Sequence, residues 1–346
     1  MFAAFFTVVE AQYVMNKMVS DQKKVIEQQN IELINQKEEI LKQKEEIESQ
    51  RDLAREQYQI ISEQKKHITD SIVYASTIQR ALLPESVDFL SEFEYFIFFR
   101  PKEIVSGDFY WFHEKGNRII VAAVDCTGHG VPGAFMSLLG MTFLNDIMVK
   151  AKNDIMPSEI LEQLRDRIIN TFHKVEGEEK KDGMEMALYI LEPDRKTLHF
   201  AGANNPLYIV RETVKDNFPQ ESDKVKLVKD SAYTLVQIKA DKMPIGRFQQ
   251  IKPFTHQTIN LLEGDSLYIF SDGILDQFGG PHDKRFGSAR FKKLLLSIQY
   301  LSMQEQKLFL KQTIDDWMQM NPDVDNEQLD DMLVVGLRMP RGTESK

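Results

Sequence analysis

The chain has 346 residues, of which 42% are hydrophobic and 28% charged, so it can bury a sizeable core and is not compositionally disordered. Its formal net charge of −10 at pH 7 argues against a nucleic-acid backbone or an anionic membrane surface as the main partner. The single cysteine, Cys126, excludes an intrachain disulfide framework and a zinc site built from cysteines, and it predicts a reducing, cytoplasmic location.

Residues 1–20 form an apolar N-terminal segment. Its first nine residues lack the basic start and cleavage site of a secretory signal. No run in the chain approaches the ~20 apolar residues that a bilayer span needs. Two interpretations of the segment are open. It is the buried start of a helix, or it is the end of a longer parent protein whose sensor module lies upstream and could attach it to a membrane.

Residues 21–70 contain a seven-residue repeat inside a stretch without Gly or Pro, since the first Pro is Pro84 and the first Gly follows it. Such a stretch favours one long helix, which would measure roughly 95 Å from Asp21 to Leu83 at 1.5 Å per residue. A glutamine stands three residues after each of the first six repeat positions. The repeat positions are Ile26, Leu33, Ile40, Ile47, Ala54, Ile61, Ile68 and Ala75.

A heptad repeat of apolar residues predicts a left-handed coiled coil, and glutamine on the second seam weakens it. We therefore expect a marginal parallel homodimer through residues 21–70. The alternative is a solvated single helix rich in charge pairs.

Residues 71–91 are predicted to be a helical linker, residues 92–340 a globular domain and residues 341–346 a polar tail. Short apolar runs indicate strands at Tyr95–Arg100, Phe109–His113, Arg118–Asp125, Glu185–Leu191, Thr197–Ala201, Leu207–Arg211, Leu235–Lys239, Phe254–Asn260, Ser266–Ser271 and Met332–Met339. Helices are predicted at Gly133–Lys150, Pro157–Val175 and in two pieces between Arg290 and Met320, and a loop or ragged hairpin at Glu212–Ser231. Many strands with few, clustered helices predict an α+β fold.

Five acids stand at the ends of predicted strands. Any one of them alone is more often a turn residue than a ligand. Together they would repel one another at one sheet end unless cations neutralised them. Hard oxygen ligands without a matching Cys or His set indicate Mg²⁺ or Mn²⁺. The five acids are Asp108, Asp125, Asp272, Asp330 and Asp331.

Seven motifs place these acids in a familiar order. They are SGDFYW (106–111), DCTGHGVPGAFMS (125–137), DGMEMAL (182–188), AGANNPLYIV (201–210), DKMPIG (241–246), SDGILDQFGG (271–280) and LDDMLVVGLR (329–338). Residues 93–340 thereby resemble the PPM (protein phosphatase type 2C-like) serine/threonine phosphatases, in the bacterial branch typified by SpoIIE and RsbU. The stretch SIVYASTIQRALLP (71–84) is similar to the segment that joins sensor modules to the catalytic domain in this branch.

The resemblance implies a sandwich of two antiparallel β-sheets flanked by helices, with two Mn²⁺ or Mg²⁺ ions at one edge. Asp125 would bridge the ions, assisted by the backbone carbonyl of Cys126. Asp272 and Asp330 would complete the second site. Asp108 would lie at the first, and Asp331 is a further possible ligand.

The resemblance also implies hydrolysis by a metal-activated water, with Asp125 and Asp272 as the catalytic acids that hold the metals. His129 is a candidate proton donor to the leaving oxygen, or else a structural residue of a Gly-rich turn. Arg100 and Lys102 are candidate phosphate contacts, or else ordinary surface charges. Four glycines are predicted to serve as turn or close-approach residues: Gly107, Gly128, Gly130 and Gly273.

The resemblance implies a phosphorylated signalling protein as substrate, typically an anti-sigma-factor antagonist, and control through the N-terminal coiled coil. One alternative is a catalytically silent dimeric scaffold, which degraded metal acids would favour, although all are present. Another is a phosphohydrolase that uses the same metals on a small-molecule phosphate. A nucleophilic role for Cys126 is disfavoured because no fitting base lies in its motif.

Overall fold

The protein is described from a computed structural model, which covers residues 2–84, 87–172, 183–215, 217–321, 324 and 326–341. The chain divides into two units, residues 1–70 and residues 71–346, and each is described by itself. Some predicted segments lie partly outside the described residues. The parts concerned are Met1 of the N-terminal segment, residues 85–86 of the linker, residues 173–175 of one helix, Asp182 of one motif, Asp216 of the predicted loop or hairpin and residues 342–346 of the tail.

Helix α1 runs from Phe2 to Leu82 and contains the whole heptad repeat. The apolar heptad side chains are exposed, with Leu33 at 66% and Ile40 at 64%. Phe5 and Phe6 near the start of α1 are also exposed, so the buried helix start is not found in the single chain. The first unit is therefore a helix with an apolar row that its own residues leave uncovered.

The second unit contains two six-stranded antiparallel sheets and a short two-stranded ribbon. Sheet 1 has the order β1-β14-β11-β6-β8-β7, and sheet 2 has the order β10-β5-β4-β3-β2 with β9 paired to β4. The strands are β1 Glu94–Arg100, β2 Phe109–Lys115, β3 Arg118–Cys126, β4 Gly183–Leu191, β5 Thr197–Ala203, β6 Leu207–Glu212, β7 Val225–Lys229, β8 Tyr233–Ile238, β9 Ile245–Gly246, β10 Gln257–Asn260, β11 Ser266–Phe270, β12 Phe278–Gly279, β13 Lys284–Arg285 and β14 Met332–Arg338.

Helices flank the two sheets. They are α2 Gly130–Lys150, α3 Pro157–Phe172, α4 Gly273–Asp276, α5 Gly287–Ser297 and α6 Met303–Gln319, with single 3₁₀ turns at Asp88–Leu90 and Thr213–Lys215. Helices α2 and α3 cover sheet 2, and α5 and α6 cover sheet 1. The predicted α+β sandwich is confirmed as four layers, with α2/α3, sheet 2, sheet 1 and α5/α6 in that order.

Strand β3 shows why its sequence is continuously apolar. Val121 and Ala123 point into the core between the two sheets, whereas Ala122 and Val124 pack under α2 and α3. Because successive side chains of a strand face opposite ways, a strand covered on both faces needs apolar residues at every position. This central position carries the end of β3, with Asp125, to the edge of the sandwich.

Of the two alternatives for Glu212–Ser231, the hairpin is found, because β7, an edge strand of sequence VKLVK, pairs antiparallel with β8. Two other expectations need correction. Strand β10 starts at Gln257 rather than Phe254, because the N–H groups of Phe254 and Thr255 donate to Glu162 and Asp241 instead. Within the described residues α2 is long and apolar enough to cross a membrane, but half of it is buried in this domain.

Candidate metal centre

The predicted acids approach one another from both sheets. Asp125 is the penultimate residue of β3 in sheet 2. Asp272 follows β11 and Asp330 precedes β14, which are neighbouring antiparallel strands of sheet 1. The end of one strand and the start of its antiparallel neighbour lie at the same sheet edge. The fold thus gathers acids that are far apart in the chain.

Asp125 and Asp272 are in direct contact within this cluster. The Asp125 carboxylate faces both the backbone N–H and the carboxyl group of Asp272 at hydrogen-bonding range. Burial, and then the charges of Asp272, Asp330 and Glu185, raise the pKa of Asp125 well above its usual value. Burial, and then neighbouring acids, also raise the pKa of Asp272. In the metal-free protein these groups therefore resist ionisation.

One carboxylate oxygen of Asp108 is buried without a hydrogen-bond partner. The Asp108 side chain is buried and lies within hydrogen-bonding range of the Ser271 side chain, and Oδ2 is the oxygen without a partner. Burial, followed by the charge of Asp125, raises the pKa of Asp108 well above its usual value. A buried carboxylate oxygen without a donor is costly unless something else neutralises it.

A hard divalent cation suits this cluster. The unpartnered Asp108 oxygen and the mutual repulsion of the acids are both relieved by positive charge. Within the described residues, no three His, Cys, Asp or Glu side chains are close enough to form a complete ligand set by themselves. An ion here would also take backbone carbonyl and water oxygens, as Mg²⁺ commonly does.

Cys126 contributes a backbone position rather than a reactive thiol. The side chain is buried and unbridged, and burial followed by the charge of Asp125 raises the pKa of its thiol. A thiol in such surroundings is inert as a nucleophile. A Cβ atom added to Gly107 would lie 3.3 Å from the Cys126 carbonyl oxygen, so that oxygen faces the loop preceding Asp108.

Asp331 uses both carboxylate oxygens to hold this loop. Its Oδ1 accepts the N–H of Lys102 at 2.7 Å, and its Oδ2 accepts the N–H of Gly107 at 2.7 Å. Asp331 is buried, and its own N–H donates to Asp330 Oδ1 at 2.8 Å. These contacts make Asp331 an anchor for residues 102–107, and its role as a metal ligand stays a prediction.

Glycines allow the metal-site loops to pack backbone against backbone. A Cβ on Gly107 would lie 2.5 Å from the Gly128 carbonyl oxygen, and a Cβ on Gly273 would lie 2.0 Å from that of Asp331. Gly128 and Gly130 have φ angles of +87° and +65°, which disfavour a side chain. A Cβ on Gly133 would lie 2.2 Å from the Gly128 carbonyl oxygen, so this glycine is also required for close approach.

The two predicted phosphate contacts have different surroundings. Arg100 Nη1 is 2.5 Å from Asp315 Oδ1 of α6, in a half-buried ion pair. Lys102 instead places its Nζ 3.1 Å from Nε2 of His129, in an exposed position. Lys102 and His129 are therefore brought together, whereas Arg100 is engaged with α6.

Two residues of this region were not singled out from the sequence. Gln79 of α1 is buried and hydrogen-bonds both backbone groups of Ser106, two residues before Asp108. Glu103 contacts His129, with Oε1 2.7 Å from Nδ1. Gln79 lies near the end of a glutamine-rich helix and Glu103 is one charge in a loop, so neither carries a pattern that distinguishes it.

The four-layer sandwich with an acidic cluster at its edge is the architecture of the PP2C-type phosphatases. The profile of the family described as Stage II sporulation protein E (SpoIIE) matches residues 115–340, which is more than half of the chain. The chain therefore belongs to the SpoIIE family and is a metal-dependent PPM serine/threonine phosphatase. A comparison with curated protein sequences found no match.

Solved structures agree with this family. The chain is similar to the SiaA-PP2C domain of Pseudomonas aeruginosa, with 28% identity, a TM-score of 0.64 and coverage of 80% of this chain and 98% of that one. A phosphatase-domain structure of SpoIIE from Bacillus subtilis, which includes a fragment of its regulatory domain, has 19% identity and a TM-score of 0.51, covering 72% of this chain and 63% of that one. The RsbU and RsbW domains of a Mycobacterium tuberculosis protein have 18% identity and a TM-score of 0.50, covering 72% and 61%. At these low identities, the SpoIIE and RsbU–RsbW structures show that the fold is shared.

Proposed function

We propose that the protein removes phosphate from phosphoserine or phosphothreonine of a signalling protein, with two Mn²⁺ or Mg²⁺ ions at the acidic cluster. The observation that carries this proposal is the buried Asp108 oxygen without a partner, beside the mutually repelling Asp125 and Asp272. Asp108, Asp125, Asp272, Asp330 and the carbonyl of Cys126 would hold the ions. Bound ions would supply an activated water and offset charge on the phosphoryl oxygens.

His129 is the proposed proton donor to the serine or threonine oxygen that leaves. It precedes α2 in an exposed loop, so a phosphorylated side chain can reach it. Imidazole gains and loses a proton near neutral pH, which suits a general acid. Lys102, whose Nζ is 3.1 Å from His129 Nε2, would contact a phosphoryl oxygen.

The function is tested by measuring phosphate release in the presence and absence of Mn²⁺. We expect metal-dependent turnover of a phosphoserine peptide with kcat/KM at least about tenfold above that for nucleotides and sugar phosphates. A phosphoprotein should exceed the peptide because a folded partner offers contacts beyond the phosphorylated residue. Preference for a small-molecule phosphate would contradict the protein-substrate assignment. Metal binding without turnover of any substrate would indicate a switched-off enzyme that awaits its signal, whereas failure to bind metal would favour the scaffold alternative.

The N-terminal helix is the proposed dimerisation and control element, in a cytoplasmic protein that takes its signal from an upstream sensor module. An exposed row of heptad isoleucines loses water contact when two copies pair, and the intervening glutamines keep the pairing weak enough to be regulated. We infer that ordering of residues 71–84 passes the state of the coil to the loop that bears Asp108.

Substitution on the heptad row should dissociate the dimer and change activity together. The variant Ile40→Lys/Ile47→Lys places two charges on the seam, and we expect a monomer and an altered specific activity. The matched control is Glu38→Lys/Glu45→Lys, at positions turned away from the seam, which should remain dimeric. Analytical ultracentrifugation and phosphate release measure both properties. A monomeric variant with unchanged activity would separate dimerisation from control and contradict the regulatory part.

A further inference from the structure

Glu103, His129 and Lys102 form a hydrogen-bonded row at the edge of the acidic cluster. His129 Nδ1 lies 2.7 Å from Glu103 Oε1, and His129 Nε2 lies 3.1 Å from Lys102 Nζ. A lysine ammonium group only donates hydrogen bonds, so Nε2 of the neutral ring is the acceptor. The proton of the neutral ring therefore resides on Nδ1 and is donated to Glu103.

The Glu103 carboxylate packs against the backbone at the start of α2. A Cβ on Gly130 would lie 2.6 Å from Glu103 Oε2, so this carboxylate rests against a bare glycine backbone. Gly130 is also the first residue of α2, a 21-residue helix whose N-terminal end favours negative charge. The position of Glu103 is thus defined by His129, by the glycine and by the helix.

The loop that bears Glu103 is fixed on its other side by Asp331. The neighbouring N–H of Lys102 and the N–H of Gly107 both donate to the Asp331 carboxylate at 2.7 Å. Residues 102–107 are therefore held at both ends. A side chain that is half exposed is positioned here through its backbone, which limits the freedom of the ring it contacts.

We propose that Glu103 is the positioning residue for His129. The proposal rests on the proposed function, in which His129 is the general acid. Glu103 holds the proton on Nδ1 and fixes the ring so that Nε2 faces the substrate. Lys102 covers Nε2 in the free enzyme and transfers its hydrogen bond to a phosphoryl oxygen when substrate binds.

The proton balance of this step is complete. As the bond between phosphorus and the serine or threonine oxygen breaks, that oxygen takes the bonding electron pair and receives the Nε2 proton. The ring is left neutral with its remaining proton on Nδ1, still donated to Glu103. The ring regains a proton at Nε2 from solvent before the next turnover, since it lies at an exposed position.

Comparing substrates with different leaving groups shows whether Glu103 positions the general acid or only stabilises the loop. A serine alkoxide is a poor leaving group and needs an acid, whereas 4-nitrophenolate leaves without one. We expect Glu103→Gln to lower kcat for a phosphoserine peptide by about a hundredfold and for 4-nitrophenyl phosphate by less than about threefold. His129→Asn should show the same pattern, and the double variant should add little to either. Glu103→Asp should recover part of the loss.

A matched control is Glu114→Gln, which neutralises an exposed glutamate on β2 and should alter neither substrate. Equal losses with both substrates in Glu103→Gln would overturn the proposal, because a displaced loop would affect every substrate alike. Unchanged turnover of the phosphoserine peptide would also overturn it.

A spectroscopic measurement tests the contact without turnover. In ¹⁵N-histidine spectra of the metal-free protein, with His129→Asn used for assignment, neutral His129 should be protonated at Nδ1. In Glu103→Gln the Nδ1 signal should shift, because a neutral amide oxygen is a weaker acceptor than a carboxylate. Unchanged His129 signals in Glu103→Gln would overturn the positioning role. Because this readout needs no activity, failure of the proposed phosphatase function would be seen separately as absent turnover in the wild-type protein.

Discussion

Replacing Asp125 with asparagine is expected to lower phosphatase turnover by about a thousandfold and to stabilise the metal-free protein at neutral pH. The loss follows because Asp125 lies at the centre of the acidic cluster, facing Asp272 across the two sheets. In the proposed mechanism Asp125 holds a catalytic ion. Removing such a ligand costs several kcal/mol of transition-state stabilisation, and ~4 kcal/mol corresponds to about three factors of ten.

The gain in stability follows from the sign of the pKa shift. Burial and the charges of Asp272, Asp330 and Glu185 raise the pKa of Asp125 in the folded protein. Above the usual pKa of an aspartate the unfolded chain ionises more readily, so the free energy of unfolding of the metal-free protein decreases as pH rises. Asparagine carries no such charge. The variant should therefore have a higher Tm than the wild type at pH 7 to 8, and the difference should vanish toward pH 4.

Thermal unfolding with and without Mn²⁺ measures this effect. A Tm increase of about 2–4 °C is expected for each kcal/mol gained in a domain of this size. Added Mn²⁺ should stabilise the wild type but have little effect on Asp125→Asn. The control Asp154→Asn, at an exposed acid without a resolved interaction, should change neither property. Lower Tm in metal-free Asp125→Asn would contradict the repulsive cluster.

The acidic cluster was accessible from sequence because its members end or precede apolar runs. Asp125 follows Val121–Val124, and Asp272 follows Leu267–Phe270, so a rule about strand ends finds both. The same rule does not say which atoms each acid contacts in the folded protein. Whether Asp331 contacts a metal or the backbone depends on the path of residues 102–107, which only the folded chain defines.

The sequence alone did not settle the strand β7 or predict the roles of Glu103 and Gln79, because none of them shows the sequence pattern that identifies a buried strand or a strand-end acid. The sequence of β7 is partly polar because it is an edge strand, and its lysines discourage pairing with strands of other chains. Glu103 has no periodic context, and its contact with His129 spans 26 positions. Gln79 comes several turns after Gln64, the last glutamine of the row, in a helix already rich in glutamine, although it is a buried residue of the second unit.

Gln79→Leu is expected to weaken Mn²⁺ binding by about 10- to 100-fold, the range found when groups that orient metal ligands are removed. Gln79 Nε2 donates to the carbonyl of Ser106 at 2.6 Å and to Ser137 Oγ at 2.8 Å, while its Oε1 accepts the Ser106 N–H at 3.1 Å. The Ser106 side chain in turn accepts the N–H of Asp108 at 3.1 Å. Gln79 thus supports the residue that carries the unpartnered carboxylate oxygen.

Leucine fills a similar volume but leaves the Ser106 N–H without its partner and the Ser106 carbonyl with only the Ser137 hydroxyl at 3.3 Å. A buried group left unpaired costs roughly 1–3 kcal/mol. The loop can recover these hydrogen bonds only by moving, and Asp108 moves with it. A cavity of about 450 Å³ lies beside the end of α1 and is lined by Gln79, Leu83, Phe99 and Ile104, among others. A side chain of the linker helix is therefore placed to couple its position to metal affinity.

Isothermal titration with Mn²⁺, together with chemical unfolding, decides the role of Gln79. The control Arg80→Leu makes an equally apolar change at the adjacent, exposed position and should leave Mn²⁺ affinity within about twofold. If Gln79→Leu is destabilised but binds Mn²⁺ as tightly as the wild type, the hydrogen bonds serve stability alone and the coupling is wrong. Weakened Mn²⁺ binding with a smaller dependence of activity on the coil would instead identify Gln79 as the residue through which α1 acts on the metal centre.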